Sequence, residues 1–306
     1  MPLAVTRNPA HRDTPGTTGH LAAPRSAKPD QAEQPTRFLR YPGGKSKFLD
    51  FLAAHMPNRD DMAGRYIEPF LGSGAVFFHL KPRNAVLSDL NGELIELFET
   101  IRTYPYLVWQ MFDSFPMGRD AYYAIRRRKE SSDVANVYRA ARTLYLNRTC
   151  FKGMWRQGPT GDFNVGYGGE ARRWAISRDD IIEVSESLRH AKILQSDFER
   201  VLELAVDGDF LFLDPPYKPG ERQLIQSHYV TSKFTFEDHL RLCNKIRELS
   251  TTRNIRWLMT NSSHPDICQM YRDFHVHRFP AGVSGTIGVQ TRCPNELLIS
   301  NYEVPK

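Results

Sequence analysis

Cysteine is scarce in this chain. The four present in 306 residues, Cys150, Cys243, Cys268 and Cys293, include no C-x-x-C pair. That spacing argues against a zinc site or a disulfide framework, and it suits a reducing, cytoplasmic compartment. Long hydrophobic runs are missing too: nothing approaches the roughly 20 apolar residues of a membrane helix, so no membrane partner is expected. A dinucleotide fingerprint is incomplete, because Phe77 stands where the third glycine after Gly72 and Gly74 should lie, which disfavours NAD. The phosphate-binding P-loop fails as well: Gly44-Lys45-Ser46 has Leu39 five residues before Gly44, where that motif needs glycine. No internal repeat is present.

What is there begins with Asp214-Pro215-Pro216-Tyr217, directly after the apolar run Phe210-Leu211-Phe212-Leu213. Short apolar runs bounded by turn formers suit strands covered on both faces, and open α/β sheets bind ligands at the carboxyl ends of such strands. An Asp carboxylate and the carbonyl of Pro215 are suited to accept both hydrogens of an exocyclic amine on a nucleobase. That localises a lone pair otherwise delocalised into the ring, and it stabilises charge only as it develops. The Tyr217 ring is suited to stack on the base, and the prolines hold φ fixed. In isolation a Pro-Pro turn capped by Asp explains the four residues equally well, so a second feature has to decide.

That feature is Tyr66 to Phe77, read as strand, glycine turn and helix, in which Gly72 and Gly74 allow close backbone approach to a ligand. Ala85-Val86-Leu87-Ser88 is a short strand ending in Asp89, at the spacing where an acid binds ribose hydroxyls. A nucleoside-like cofactor without a pyrophosphate fits both. Lys192 to Ser196 reads as another strand ending at the same edge, before Asp197. Thr235 caps a predicted helix running to about Ser250, Arg256 to Asn261 is a buried strand, and His275 to Phe279 with Glu296 to Ser300 form an expected antiparallel pair. The architecture is a mixed, mostly parallel seven-strand sheet with flanking helices. At about 150 residues per domain, the length suggests two domains sharing one large core.

The net charge of +6 is confined to one region: residues 101 to 180 hold fourteen Lys and Arg against eight acids, so the rest of the chain balances to zero. Those cations accompany Tyr122, Tyr123, Tyr145, Phe151, Trp155 and Tyr167 in a stretch rich in glycine. A basic, aromatic segment of this kind suits phosphate contacts and a β-ribbon entering the major groove. Residues 103–187 therefore read as a target-recognition domain, helical first and hairpin second. Arg148 and Arg156 are its candidates to bond phosphate or guanine.

With these pieces together the chain resembles the Dam-type (D12 class) family of S-adenosylmethionine-dependent adenine-N6 DNA methyltransferases, from about Arg37 to Tyr302. The elements come in the family's order: Arg40-Tyr41-Pro42-Gly43-Gly44-Lys45, Glu68-Pro69-Phe70-Leu71-Gly72-Ser73-Gly74, Ser88-Asp89-Leu90-Asn91, the segment Leu146 to Gly153 with Gly161 to Val165, and Asp214-Pro215-Pro216-Tyr217. The resemblance implies a Rossmann-like methyltransferase fold with S-adenosyl-L-methionine as cofactor. The cofactor would be bound by Tyr41, Pro42, Gly43, Gly44, Lys45, Glu68, Pro69, Phe70, Gly72, Ser73, Gly74, Asp89, Asp197, Phe198 and Asp214. Asp214, Pro215, Pro216 and Tyr217 would be catalytic, and Asn147, Arg148, Lys152 and Arg156 would meet DNA. No metal is implied. Double-stranded DNA is the implied partner, with a cognate restriction endonuclease as a possible second, and a monomer or weak dimer as the working state.

The catalytic domain is then expected in two parts, 37–102 and 188–306, around the insertion at 103–187, after a disordered tail at 1–36 that lacks the apolar core of a signal peptide. Relatives that methylate GATC carry asparagine where Lys152 stands and Pro-Phe-Gly-Arg where this chain has Gly166-Tyr167-Gly168-Gly169, so the resemblance does not carry a target sequence with it. Cytosine-N4 enzymes have Ser at the first motif position, and RNA or protein-glutamine methyltransferases have Asn. The Pro-Cys pair of cytosine-C5 enzymes is missing, since Cys293 precedes Pro294. The alternative from another class is a catalytically silent DNA-binding module, which would bind DNA without binding S-adenosylmethionine.

Overall fold

The structure, a computed structural model, describes residues 38–40, 45–128, 135–158, 161–169, 176–217, 234–279 and 296–304. The tail expected at 1–36 lies outside them. Seven strands form one sheet: β1 (Tyr66–Glu68), β2 (Ala85–Asp89), β3 (Ala191–Gln195), β4 (Phe210–Leu213), β5 (Arg256–Ser262), β6 (His275–Arg278) and β7 (Glu296–Ser300), in the order β3-β2-β1-β4-β5-β7-β6. The first five run parallel, while β7 pairs antiparallel with both β5 and β6. The strands expected from sequence appear, with β3 starting one residue earlier and β5 and β6 each ending one residue away from expectation.

Strand order explains where the site lies. The chain leaves β1 toward β2 and β3 on one side, then crosses back to β4 and β5 on the other. The crevice outside the carboxyl ends of β1 and β4 is therefore the topological switch point, where open α/β sheets bind ligands. Glu68 ends β1, and Asp214 follows β4.

β4 is buried along its whole length because both faces of the sheet are covered. Phe210 and Phe212 join Tyr66, Phe77, Leu258 and Leu298 on one face. Leu211 and Leu213 join Ile67, Trp257, Met259 and Ile299 on the other. Burying each such side chain contributes roughly 1.5–3 kcal/mol, so a shift in register of one residue would exchange two complete packing sets.

Ten helices flank the strands among the described residues. They are α1 (Leu49–Ala54), α2 (Ala75–Leu80), α3 (Gly92–Thr103), α4 (Pro105–Asp113), α5 (Arg119–Arg127), α6 (Ala135–Thr149), α7 (Arg178–Leu188), α8 (Phe198–Leu202), α9 (Phe236–Thr252) and α10 (Pro265–Met270). Helix α9 starts where its sequence says: Asp238 N donates to Thr235 Oγ1 at 3.3 Å and Thr235 N donates to Asp238 Oδ2 at 2.8 Å, a capping box. The apolar side chains of α4 to α6, among them Val108, Phe112, Tyr122 and Tyr145, belong to the same continuous core as Phe210 and Phe212. No helix among the described residues is long and apolar enough to cross a membrane.

At the edge of the sheet away from the switch point, Asp209 ties the starts of β1 and β4 together. Its side chain is 1% exposed and accepts from Arg65 N at 2.8 Å, Arg65 Nη2 at 2.7 Å and Val206 N at 2.9 Å. Asp209→Ala leaves these donors without their acceptor and is expected to destabilise the fold by about 3 kcal/mol. Urea unfolding measures this, and an unchanged midpoint would show that the brace carries no net stability.

Candidate active site and nucleic-acid face

Asp214 stands one residue past β4, with Thr260 of the neighbouring parallel strand beside it. The Thr260 hydroxyl donates to Asp214 Oδ1 at 2.6 Å, and the Lys45 ammonium lies 2.7 Å from the same oxygen. Both donors hold one oxygen, and among the described residues Oδ2 has no hydrogen-bond partner. The Lys45 side chain is 5% exposed. Burial pulls its pKa down, but Asp214 above all, with Glu296 adding to it, outweighs that and holds it firmly protonated. The ammonium also sits 4.9 Å from the centroid of the Tyr217 ring. Burial raises the Tyr217 hydroxyl above its ordinary value, against the opposing pull of Lys45. Pro215 is buried between Asp214 and the exposed Pro216.

The glycine turn after β1 is built on Asp89. Its Oδ2 accepts from Gly72 N at 2.9 Å and its Oδ1 from Asn91 N at 2.9 Å. Gly72 and Gly74 have φ of 50° and 68°, and a Cβ at Gly74 would meet Phe78 at 2.7 Å, so both the turn and its close packing require glycine. Burial raises the Asp89 carboxyl while these backbone donors oppose the shift. Glu68, 2% exposed, accepts from Tyr66 Oη at 2.8 Å. Its carboxyl is pushed well above the usual range by burial, against the Tyr66 hydrogen bond, with Asp214 and Asp89 adding to the shift. Pro69 and Ser73 are buried in the same turn.

A second cluster lies beyond β3. Phe70 stacks on Phe198 with centroids 5.4 Å apart, and Phe234 meets both rings at 5.8 Å. Asp197 caps α8 through Glu199 N at 3.0 Å, and Arg241 Nη2 donates to its Oδ1 at 2.8 Å. The Arg241 guanidinium also pairs with Glu199 and Asp238 and lies over the Phe198 ring. A cleft of about 590 Å³, lined by Leu90, Gln195, Asp197, Glu199 and Arg241 among others, opens here. Asp214 is not part of its wall.

Among the residues expected to bind cofactor, Tyr41, Pro42, Gly43 and Gly44 lie outside the described residues. Lys45 is placed on Asp214 itself. The DNA candidates separate by burial. Asn147, 2% exposed, accepts from Arg40 N at 2.8 Å and donates to Arg40 O at 2.6 Å. Arg148, 8% exposed, donates to Phe38 O at 3.4 Å. Both side chains face inward and fasten residues 38–40 to the end of α6, rather than presenting themselves at the surface. Several other cations of the basic segment are internal struts: Arg126 donates to Val165 O, and Arg142 to Ile125 O and Arg126 O.

Arg156 is exposed, on a short antiparallel ribbon that follows α6. Cys150 pairs with Tyr167 and Gln157 with Phe163, while Phe151 N donates to Gly166 O at 2.8 Å and Asn164 N to Arg156 O at 3.0 Å. Trp155 and Phe163 face inward with centroids 4.9 Å apart. Arg156 faces outward, its Nε donating to Asn164 Oδ1 at 2.7 Å. Lys152 holds φ 56° and ψ 15°, a left-handed conformation that asparagine adopts more readily than lysine. That gives a physical reason for the asparagine that the family resemblance leads one to expect at this place.

The family model for D12 class N6 adenine-specific DNA methyltransferases matches residues 41–282. The chain belongs to this family. It is 30% identical over 273 residues to the type II methyltransferase M1.LlaDCHI of Lactococcus lactis subsp. cremoris, covering 87% of this chain and 95% of that protein. It is 29% identical to the type II methyltransferase M.MjaIII of Methanocaldococcus jannaschii, across 87% and 98% of the two chains. A DNA adenine methylase of Serratia marcescens is 28% identical, over 78% of this chain and 87% of the relative. In this D12-class methyltransferase the matched span runs through the glycine turn, the ribbon and Asp214.

Thr260 was not among the sequence candidates. It ends no recognisable motif, and only the parallel register of Leu213 with Met259 brings its hydroxyl to Asp214. Thr260→Val removes that hydroxyl with little change of shape and is expected to lower kcat about tenfold, about 1.4 kcal/mol of transition-state stabilisation, with KM for DNA held. Steady-state kinetics on duplex DNA decides it, and a wild-type kcat would remove Thr260 from the machinery.

Proposed function

We propose that this methyltransferase binds duplex DNA at a specific site, takes one adenine out of the stack and methylates its N6, with S-adenosyl-L-methionine as donor. The observation that carries the reading is the loading of two donors, Lys45 and Thr260, onto Oδ1 of Asp214. It fixes the carboxylate and turns Oδ2 toward a substrate hydrogen. Oδ2 and the Pro215 carbonyl accept the two N6 hydrogens, so the nitrogen lone pair is localised as attack begins. Tyr217, at the turn after Asp214, stacks on the extruded base, and such contacts offset the few kcal/mol that extrusion costs.

The cofactor fits the donors present. Gly72 and Gly74 leave backbone accessible, Asp89 keeps unused lone pairs for ribose hydroxyls beyond its two loop bonds, and Phe70 and Phe198 offer aromatic surface beside Asp197 for an adenine ring. When bound, S-adenosylmethionine supplies an electrophilic methyl group on a sulfonium and leaves as a neutral thioether. The surplus N6 proton then lies next to Asp214. Tyr41, Pro42, Gly43 and Gly44 complete the pocket in this reading, with Lys45 acting on Asp214.

Residues 103–187 make the contact with DNA, the ribbon entering the major groove. Arg156, whose exposure and bond to Asn164 support the choice, is the residue assigned to bond guanine or phosphate, and Lys152 lies on the same ribbon. The relatives named type II methyltransferases support a role beside a cognate restriction endonuclease. The protein acts in the cytoplasm as a monomer or weak dimer.

Expression in a methylation-free bacterial host, with modified bases mapped by single-molecule sequencing, is expected to show N6-methyladenine in one short sequence context. N4-methylcytosine would overturn the choice of base. Asp214→Ala is expected to abolish the modification while the purified protein still binds S-adenosylmethionine, and methylation that survives intact in this variant would sink the mechanism.

Arg156→Ala tests the ribbon separately. A lost guanine contact costs about 1–3 kcal/mol and relaxes the sequence preference at one position, whereas a lost phosphate contact weakens all duplexes alike and lowers the salt slope by about one. Binding isotherms on cognate and altered duplexes distinguish the two, and unchanged binding throughout would remove Arg156 from the interface.

A further inference from the structure

One half-buried acid at the reactive edge has no part in the chemistry so far. Glu296 opens β7 opposite Ser262 of β5, while Leu298 stands opposite Thr260. Opposed residues of an antiparallel pair project to the same face, and faces alternate along each strand. Glu296 therefore projects from the same face as the Thr260 hydroxyl, the face on which Leu258, Leu298 and Phe48 pack. It stands one pleat nearer the carboxyl edge where Asp214 lies. Its backbone is fixed by Phe279 N, which donates to Glu296 O at 3.0 Å. Its Oε2 is buried and makes no hydrogen bond among the described residues. Buried polar atoms are paired as a rule, so an unpaired carboxylate oxygen beside a reacting group calls for a role. The charged and titratable groups that act on it are Lys45 from the segment before α1, and Asp214 and Tyr217 from the turn after β4.

We propose that Glu296 is a positioning residue for methyl transfer that acts through Lys45: as a carboxylate it competes with Asp214 for the field of the buried ammonium, and as a neutral acid it ceases to compete. The proposal rests on the reading of Asp214 given above. An ammonium committed to Asp214 draws electron density from the carboxylate and weakens the hydrogen bond that Oδ2 accepts from N6. Ionised Glu296 offsets that pull, so Oδ2 accepts more strongly and the nitrogen becomes the better nucleophile. Burial, opposed by Lys45 and reinforced by Asp214, holds the Glu296 carboxyl above the usual carboxylate value, which brings its ionisation nearer to neutral pH. The sign follows: the rate rises with pH as Glu296 loses its proton.

The test is single-turnover methyl transfer on duplex DNA carrying the mapped target, at saturating S-adenosylmethionine, across pH. Wild-type protein is expected to show a rate that climbs through an ionisation above the ordinary carboxylate value. Glu296→Gln should abolish the climb and remain about tenfold below the wild-type plateau, while Glu296→Asp should restore a climb. A second readout needs no turnover. With carbon-13 in the glutamate carboxyls, the resonance missing from Glu296→Gln identifies Glu296, and in Lys45→Met that resonance should titrate at higher pH. A climb retained in Glu296→Gln, or a Glu296 titration indifferent to Lys45→Met, overturns the proposal. If wild-type protein methylates no adenine, the reading of Asp214 falls, and the carboxyl titration still decides whether Glu296 and Lys45 are coupled.

Discussion

The ion pair between Lys45 and Asp214 is the constraint around which the site is arranged. Taking a lysine and an aspartate out of water costs several kcal/mol per ion, and their attraction offsets this only when geometry and further hydrogen bonds are good. Here the pair is completed by Thr260 on the carboxylate and the Tyr217 ring under the ammonium. Removing Asp214 alone would strand the buried Lys45 ammonium. The segment carrying Lys45 must therefore close over the end of β4, and the bonds from the Asn147 side-chain amide to the Arg40 backbone tie residues a few positions earlier to the end of α6.

Much of this was legible in the sequence because it is local. A run of four apolar residues ending at Asp214 specifies a strand buried on both faces. The Gly72 and Gly74 turn requires positive φ, and the Thr235 cap fixes the start of α9. Each of these is decided within a few residues. The parts that sequence reading missed are long-range. Thr260 reaches Asp214 only because β5 lies parallel to β4, and Glu296 faces the same edge only because β7 returns antiparallel beside β5. No spacing along the chain announces either.

The basic segment shows the same division from the other side. Charge counting identified the region but not which cations are free to meet a partner. A guanidinium has five donors in a fixed fork, well suited to holding backbone carbonyls in place of secondary structure, and Arg126, Arg142 and Arg148 are used in this way. Composition cannot separate an arginine that braces a turn from one offered to phosphate. Burial does, and it leaves Arg156 on the outside of the ribbon.

The apolar side of that ribbon has a further consequence. Trp155, Phe163 and Val165 belong to the same packed core as Phe210 and Phe212 beneath Asp214. The ribbon, proposed above as the reading surface, is thus a veneer on the catalytic body rather than a detachable module. On that proposal, descendants of this chain would drift in preference by exchanging its outward side chains one at a time, while the wholesale transplant of a foreign ribbon would have to be matched by compensating changes deep in the enzyme.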